Sequence, residues 1–518
     1  MKLAVLFSLI LSILHSILFY GQNKGISVFL FTITALFLFI TILQKEGKIK
    51  NNKALLISIP IIILSATYFI FNNSFFNVMN IIVILLLFFI MIIIAVLGEL
   101  KPQKLIENLC ILSFGPLEEI ENSREEIAKT FIKKGENKEK SENRLAKQIL
   151  KGILISLPIL MIVLILLSTA DETFAAIFSN PFEKISDLIN LESIFNLIFR
   201  IIIIIVLTFY FTGIIIKMVN NKLDNKEENK SGIKIQGITL STLLTLLNFI
   251  YLLFAGVQAI HIIEQMQNPS ITNYANYARS GFFQLMVVSI INFFIILISK
   301  NNKKETTEGI KKYIKIMNVA LAIFTIIILI TSVLRMKLYE KEYGYTFLRL
   351  MVYWTQITEL ILIIPTIIYI LKEKFQIFKY FLTITVTMYV IINFVNLDYI
   401  IAKGNIDRYF SNTRKEIDFY YLRNHTSTDA IPEIIRLLKA NDEKLNEIVN
   451  GYLVEKYNEL KCENNPWQGF NFSRKKALKE LEKANLDLSY NYSMETRVFI
   501  ERLQYIKFSR YICGAYSW

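Results

Sequence analysis

The sequence predicts an all-α membrane protein: a bundle of about eleven transmembrane helices with a small C-terminal helical soluble domain. Three observations carry that expectation. Hydrophobic residues fill 54% of the 518 positions and the mean hydropathy is +0.45, more apolar than a soluble chain with an ordinary surface tolerates. The apolar residues are gathered in runs of the ~20 residues that a helix rising ~1.5 Å per residue needs to cross a bilayer. After Asn396 the runs stop, charge becomes balanced, and residues that cap helices recur.

Lys2 and the run Leu3–Tyr20 resemble a signal peptide, but no small-residue cleavage site follows, and Gly21–Gly25 (GQNKG) leads straight into Ile26–Leu43. A retained helical hairpin is therefore expected. The remaining spans are Ala54–Phe71, Met79–Leu97, Ile153–Thr169, Ile194–Ile216, Ile238–Ile262, Gly281–Ser299, Tyr313–Leu334, Thr346–Leu371 and Tyr380–Asn396. Backbone groups in hydrocarbon must bond within their own segment, so all are read as helices, kinked at Pro60, Pro158 and Pro365. Residues 1–98 thus form a four-span segment, and 152–396 a seven-span core. The insert 99–151 between them is expected to hold an interfacial helix around Ile106–Ile120 and then a solvated, mixed-charge helix. In the domain 397–518, Thr428 and Asp429 are expected to cap DAIPEIIRLLKA, Asn441 to cap the helix that follows it, and Ser473 to open RKKALKELEKA. No internal repeat is visible.

Lysine placement orients the spans. Gln44–Lys53, Glu99–Lys151, Lys217–Lys234 and Lys300–Lys315 are lysine-rich, whereas Asn72–Asn77 has none and Asp171–Glu192 has Lys184 against five acids. The N-terminus is expected in the cytoplasm and the C-terminal domain, after eleven crossings, outside it. The loop Arg335–Thr346 runs mildly against this, since it would lie outside with three basic residues. The formal charge of +14 comes mostly from lysines beside apolar runs, where anionic lipid headgroups account for it. Nucleic acid is not expected as a partner; the bilayer and an envelope protein are. Cys110, Cys462 and Cys513 are too few for a disulfide scaffold and show no CxxC spacing. Cys462 and Cys513 could pair outside the membrane, or simply pack as thiols.

Glu359 is the sharpest single residue, a lone carboxylate near the middle of its span. An ionised acid there costs about 3 kcal/mol, so it is expected neutral or paired inside the bundle. It reads either as a proton or cation relay or as a hydrogen-bonded link between helices. His15 and His261, also in spans, have no partner at metal-ligand spacing and read as hydrogen-bonded or interfacial residues. Asp171, Arg200, Arg279, Arg335, Arg349, Asp398, Asp407 and Arg408 are expected near the outer helix ends. There the arginines reach headgroups, pair with the acids to tie the bundle to the external domain, or bind an anionic ligand. Tyr274, Tyr277, Tyr339, Tyr343 and Tyr345 fit an interfacial belt.

The string NYANYARSGFFQLMVVSIIN (Asn273–Asn292) is similar to the aromatic-Arg-Gly-Phe-Phe signature of the bacterial membrane family called domain of unknown function 4173, close to 4153. Further pieces resemble that family in order: LLSTADETFA with Asp171, LLFAGVQA with Gln258, SVLRMKLYEKEYGYTFLRL with Arg335, Tyr343 and Arg349, and LDYIIAKGNIDRY with Asp398, Asp407 and Arg408. DFYYLRNHTSTDAIPEI, with Asp418, Tyr421 and Asp429, resembles the segment that closes the family domain. The resemblance covers roughly residues 150 to 480. It implies a shared fold and a recurrent outer-face pattern that does not include Glu359. The family has no established activity to carry over.

Multi-pass lipid-linked glycosyltransferases carry an acid in the first external loop, and GQNKG has none. No HExxH, GxSxG, P-loop or paired intramembrane aspartates are present, so no catalytic residues, metal site or cofactor are assigned. The reading is a non-enzymatic scaffold or sensor of the cell envelope that uses the Arg/Asp cluster and the external domain. A secondary transporter coupled to protons or cations through Glu359 is the alternative, with an envelope-modifying transferase a more distant third.

Overall fold

Inside hydrocarbon the chain must satisfy its own backbone, and among the described residues of the computed structural model no strand forms. The structure describes residues 2–99, 101–131, 191–220, 223, 235–267, 282–301, 307–372, 374–413, 416–462 and 466–487. The helices begin with α1 (Lys2–Phe19), α2 (Ile26–Lys45), α3 (Ser58–Ile70) and α4 (Ser74–Leu97). Three shorter ones follow: α5 (Pro102–Ser113), α6 (Gly115–Glu118) and α7 (Ile120–Phe131). Then come α8 (Leu191–Val219), α9 (Gly237–Gln267), α10 (Phe282–Asn301), α11 (Glu308–Tyr343), α12 (Phe347–Leu371) and α13 (Ile377–Phe394). The C-terminal helices are α14 (Leu397–Phe410), α15 (Phe419–His425), α16 (Ile431–Ile434), α17 (Glu443–Cys462) and α18 (Phe472–Lys483).

Ten segments among the described residues, α1 to α4 and α8 to α13, are long and apolar enough to cross a membrane. The chain is a multi-pass membrane protein. The expected span Ile153–Thr169 lies outside the described residues, as do Pro158, Asp171, Tyr274, Tyr277, Arg279, Cys513 and the His261 side chain.

Several local expectations change. Arg335–Thr346 is no loop: α11 runs unbroken for 36 residues, ~54 Å at 1.5 Å each, and carries Arg335, Lys337 and Lys341 beyond the ~30 Å hydrocarbon layer. Pro60 falls in the first turn of α3, after the six-residue 3-10 stretch Asn52–Ile57, where proline opens a helix; Pro365 lies inside α12. The segment expected as one helix, DAIPEIIRLLKA, is broken into 3-10 turns around α16. Its cap is Ser427, because the Asp429 carboxylate is taken up by longer-range contacts. Asp442, rather than Asn441, accepts from Leu445 N at 3.1 Å, and Asn471, rather than Ser473, caps α18 by accepting from Arg474 N at 3.0 Å. Ser473 instead meets the Thr428 hydroxyl at 2.9 Å.

The chain divides into two compact units. The first joins Met1–Gly21, Thr34–Ile49 and Glu107–Leu223. In it α1, α6 and α7 pack on α8. Lys217 of α8 pairs with Glu118 at 2.9 Å and Glu119 at 3.2 Å, and a side chain at Gly213 would meet Pro116 Cα at 2.8 Å. The stretch expected to be interfacial thus packs on the membrane helix α8 at Pro116–Glu119, while the mixed-charge α7 that follows keeps Glu121, Asn122, Arg124 and Glu125 exposed.

The second unit joins Gln22–Ile33, Lys50–Ile106 and Asp224–Trp518. Here α11 packs against α9, α10 and α12, while α13 links α12 to α3, and α3 packs on α4. Lys315 donates to Leu371 O at 3.1 Å and Lys300 to Lys372 O, so lysines gather at the end of the bundle where α12 terminates and complement its helix dipole. The opposite end carries α14 to α18 as a cap. The cap core is built on Ile401, Ile434, Tyr452, Leu453 and Ala477, and Tyr345, Phe347 and Leu350 from the start of α12 pack into it.

Candidate functional site

Two buried polar groupings in the second unit are built around carboxylates, Asp398 and Asp429 in one and Glu359 in the other. The first lies where the cap meets the segments joining α3 to α4 and α13 to α14. Asp429 Oδ2 accepts from Asn72 N at 2.8 Å and from Ser427 Oγ at 3.1 Å, and its Oδ1 from Asn396 Nδ2 at 3.3 Å. Asp398 Oδ2 accepts from Asn73 Nδ2 and Ser427 N, both at 3.1 Å, which leaves Oδ1 as the one oxygen of the pair without a partner. Both acids are buried. Burial pushes the Asp398 carboxyl above the ordinary carboxylate range and the neighbouring Asp429 adds to it, while the donors from Ser427 and Asn73 oppose the shift.

The same junction is tightened around these acids. Asn471 Nδ2 donates to Tyr68 O at 2.9 Å and Phe71 O at 2.8 Å, tying α18 to the end of α3. Ile26 N donates to Phe470 O at 3.2 Å, and a Cβ on Gly25 would lie 2.5 Å from that same oxygen. Deeper down, Asn80 donates to Thr67 at 2.9 Å and to Asn393 at 2.7 Å and accepts from Tyr389 at 2.7 Å, joining α3, α4 and α13.

The expected outer-face residues are found mostly in pairs rather than as an open patch. Arg408 bonds the Glu340 carboxylate and, at 2.8 Å, the Glu340 carbonyl, and lies 4.3 Å from the Tyr345 ring centroid. Asp407 pairs with Lys403 at 3.0 Å and Arg436 at 2.7 Å, and the Lys403 hydrogen bond holds its carboxyl below the usual range. Arg349 donates to Tyr343 O at 3.0 Å and Gly344 O at 2.5 Å and stacks 4.4 Å over Tyr339. Arg335 bonds Gln258 at 3.0 Å. In the first unit, Arg200 stacks 4.6 Å over Tyr20, whose hydroxyl donates to Asn196 at 2.9 Å, and His15 packs on Phe19.

The second cluster runs along the seam of α9 to α12. Ser299 meets Asn318 at 2.9 Å; Asn248 donates to Met317 O at 3.1 Å; Asn292 accepts from Tyr251 at 2.8 Å and donates to Thr325 at 3.0 Å. Next come Glu359 against Ser289, Gln356 donating to Ser332 at 2.6 Å, and Arg335 on Gln258. Glu359 is only 4% exposed, and its Oε1 has no hydrogen-bond partner. Sequence reasoning singled out Glu359 but missed the file around it. The signal was heptad spacing inside the apolar runs: Asn318, Thr325 and Ser332 on α11, Asn292 and Ser299 on α10, Tyr251 and Gln258 on α9. Residues seven apart share one helix face.

Among the described residues no group of three His, Cys, Asp or Glu side chains gathers as metal ligands. No curated protein and no solved structure matches the chain. A family model does, over residues 58–437, from the first residue of α3 through the 3-10 turn that follows α16. It takes in α3 and α4, which the motif resemblance left out, and stops before α17 and α18. The chain belongs to the family described as domain of unknown function DUF4153.

Proposed function

We propose that this membrane protein is a non-enzymatic scaffold or sensor of the cell envelope, whose C-terminal cap is a fixed platform on the outer end of the bundle. The observation that carries this reading is the spending of the expected Arg/Asp patch on internal ties: Arg408 to Glu340, Arg436 to Asp407, Asp398 and Asp429 to the asparagines of the bundle loops. A cap held this way presents a rigid surface to an envelope protein instead of opening over a substrate. Lysines at the other end of the second unit support placing the cap outside the cytoplasm.

A cysteine introduced at exposed Lys479 tests this placement in intact cells treated with a membrane-impermeant thiol reagent. Labelling above the parent's background before lysis is expected, and labelling only after lysis overturns the orientation. In-cell photo-crosslinking from exposed Tyr420 tests the platform, with a discrete protein adduct expected and its absence counting against it.

A second reading, a secondary transporter, is favoured by the polar seam and by the unpartnered Glu359 oxygen. Ion flux into liposomes carrying the purified protein, lost in Glu359→Gln, would establish it; no flux above empty liposomes would remove it.

A further inference from the structure

The seam between α10, α11 and α12 holds buried oxygens that the fold does not satisfy. Gln356 is fully buried and Glu359 nearly so, and, three residues apart on α12, they lie one turn apart on one face. Ser332 Oγ donates its single proton to Phe282 O at 3.0 Å, so the Gln356 amide must present its NH2 group to that serine, at 2.6 Å. The amide orientation is thereby fixed, and Gln356 Oε1 faces away with no partner, as does Glu359 Oε1. Ser289 Oγ likewise has one proton, shared between Met286 O at 2.6 Å and Glu359 Oε2. An ionised acid alone at this depth is costly, so the carboxyl carries its own proton when no cation is bound.

We propose that this site exchanges the Glu359 proton for a small monovalent cation, sodium. The oxygens of Glu359, Gln356, Ser289 and Ser332 would hold it. Hard cations of this kind take oxygen ligands, and carboxylate, amide and hydroxyl oxygens are the kinds the seam supplies. Charge sets the valence. One carboxylate and one monovalent ion make a neutral pair in a low-dielectric interior, whereas a divalent ion leaves a net positive charge there. In the exchange the carboxyl proton leaves as the cation enters, so the site stays neutral throughout. Among the described side chains, the charged or titratable groups that flank this stretch of the packed helices are engaged elsewhere. Arg335 is turned to Gln258 on α9, Arg349 to the Tyr343 and Gly344 carbonyls, Tyr251 to Asn292 and Tyr353 to Glu340, while α10 has no charged residue before Lys300. The inference goes beyond the scaffold reading and stands whether or not the protein moves the ion.

Thermal unfolding of the detergent-purified full-length protein tests it, in sodium chloride against choline chloride at equal ionic strength. Sodium is expected to raise Tm by about 3 °C once well above its Kd, with choline without effect. The sodium effect should vanish in Glu359→Gln and weaken in Ser289→Ala. Should Glu359→Gln fail to fold, radioactive sodium binding to the parent protein and to Ser289→Ala decides: saturable binding with at least a tenfold weaker Kd in the variant is expected. Equal Tm in both salts, a sodium effect that survives Glu359→Gln, or a Tm that follows pH but not sodium each overturns the proposal. The last outcome identifies a site for protons alone. None of these results bears on cap labelling or crosslinking, so the scaffold reading stands or falls separately.

Discussion

The cap junction and the membrane seam bury carboxylates in opposite ways. Asp398 and Asp429 receive five donor contacts between them, from backbone amides, asparagine side chains and a serine hydroxyl. Glu359 has one donor, a serine that shares its proton with a backbone carbonyl. A carboxylate surrounded by donors is a structural acceptor, since its removal strands every group that points at it. One starved of donors depends on what it binds. The difference teaches that burial alone does not mark a functional acid: the donor count separates a latch from an exchange site.

The largest expected effect comes from breaking the latch. Asp429→Ala orphans Asn72 N, Ser427 Oγ and Asn396 Nδ2, and should cost about 3–4 kcal/mol by denaturant titration, with the cap becoming protease-sensitive. Gly25→Ala should follow at about 2–3 kcal/mol, because the new methyl group meets the backbone of Gly469 and Phe470, which cannot swing aside as a side chain can. Arg408→Ala loses the Glu340 ties and the stacking on Tyr345, for about 1.5–2 kcal/mol in the same assay. Asp398 supplies a pH arm. Its folded carboxyl titrates above the unfolded one, so its contribution is complete below the ordinary carboxylate range and is lost as pH rises through the raised value. Tm of the parent should therefore fall over that window, and Asp398→Asn should flatten the fall. Smallest is Glu359→Gln in sodium-free buffer, expected within about 1 kcal/mol of the parent, because the amide oxygen accepts from Ser289 as the carboxyl oxygen does.

The membrane bundle was largely legible in the sequence, because a span must be long and apolar to exist at all. Nine of the ten described spans needed only their hydropathy; the α11 helix ran past its apolar stretch because Glu340 and Tyr343 have the cap and Arg349 to bond. The latch was harder to read. Asn72, Asn73, Asn396 and Asn471 look like loop and cap residues, and the last three do cap helices, yet the amides of Asn72, Asn73 and Asn471 also reach across hundreds of positions to other elements, and that of Asn396 to Asp429. Such pairings carry no local spacing. Charged outer-end residues were found as a set, but sequence alone does not tell a ligand-binding patch from acids and arginines already paired to one another.

Unfolding Asp429→Ala and Glu359→Gln side by side, in one detergent without sodium, tests the donor-count argument most directly. The account predicts a Tm several degrees below the parent for Asp429→Ala and one close to the parent for Glu359→Gln. Equal losses in the two variants, or the larger loss in Glu359→Gln, would contradict it.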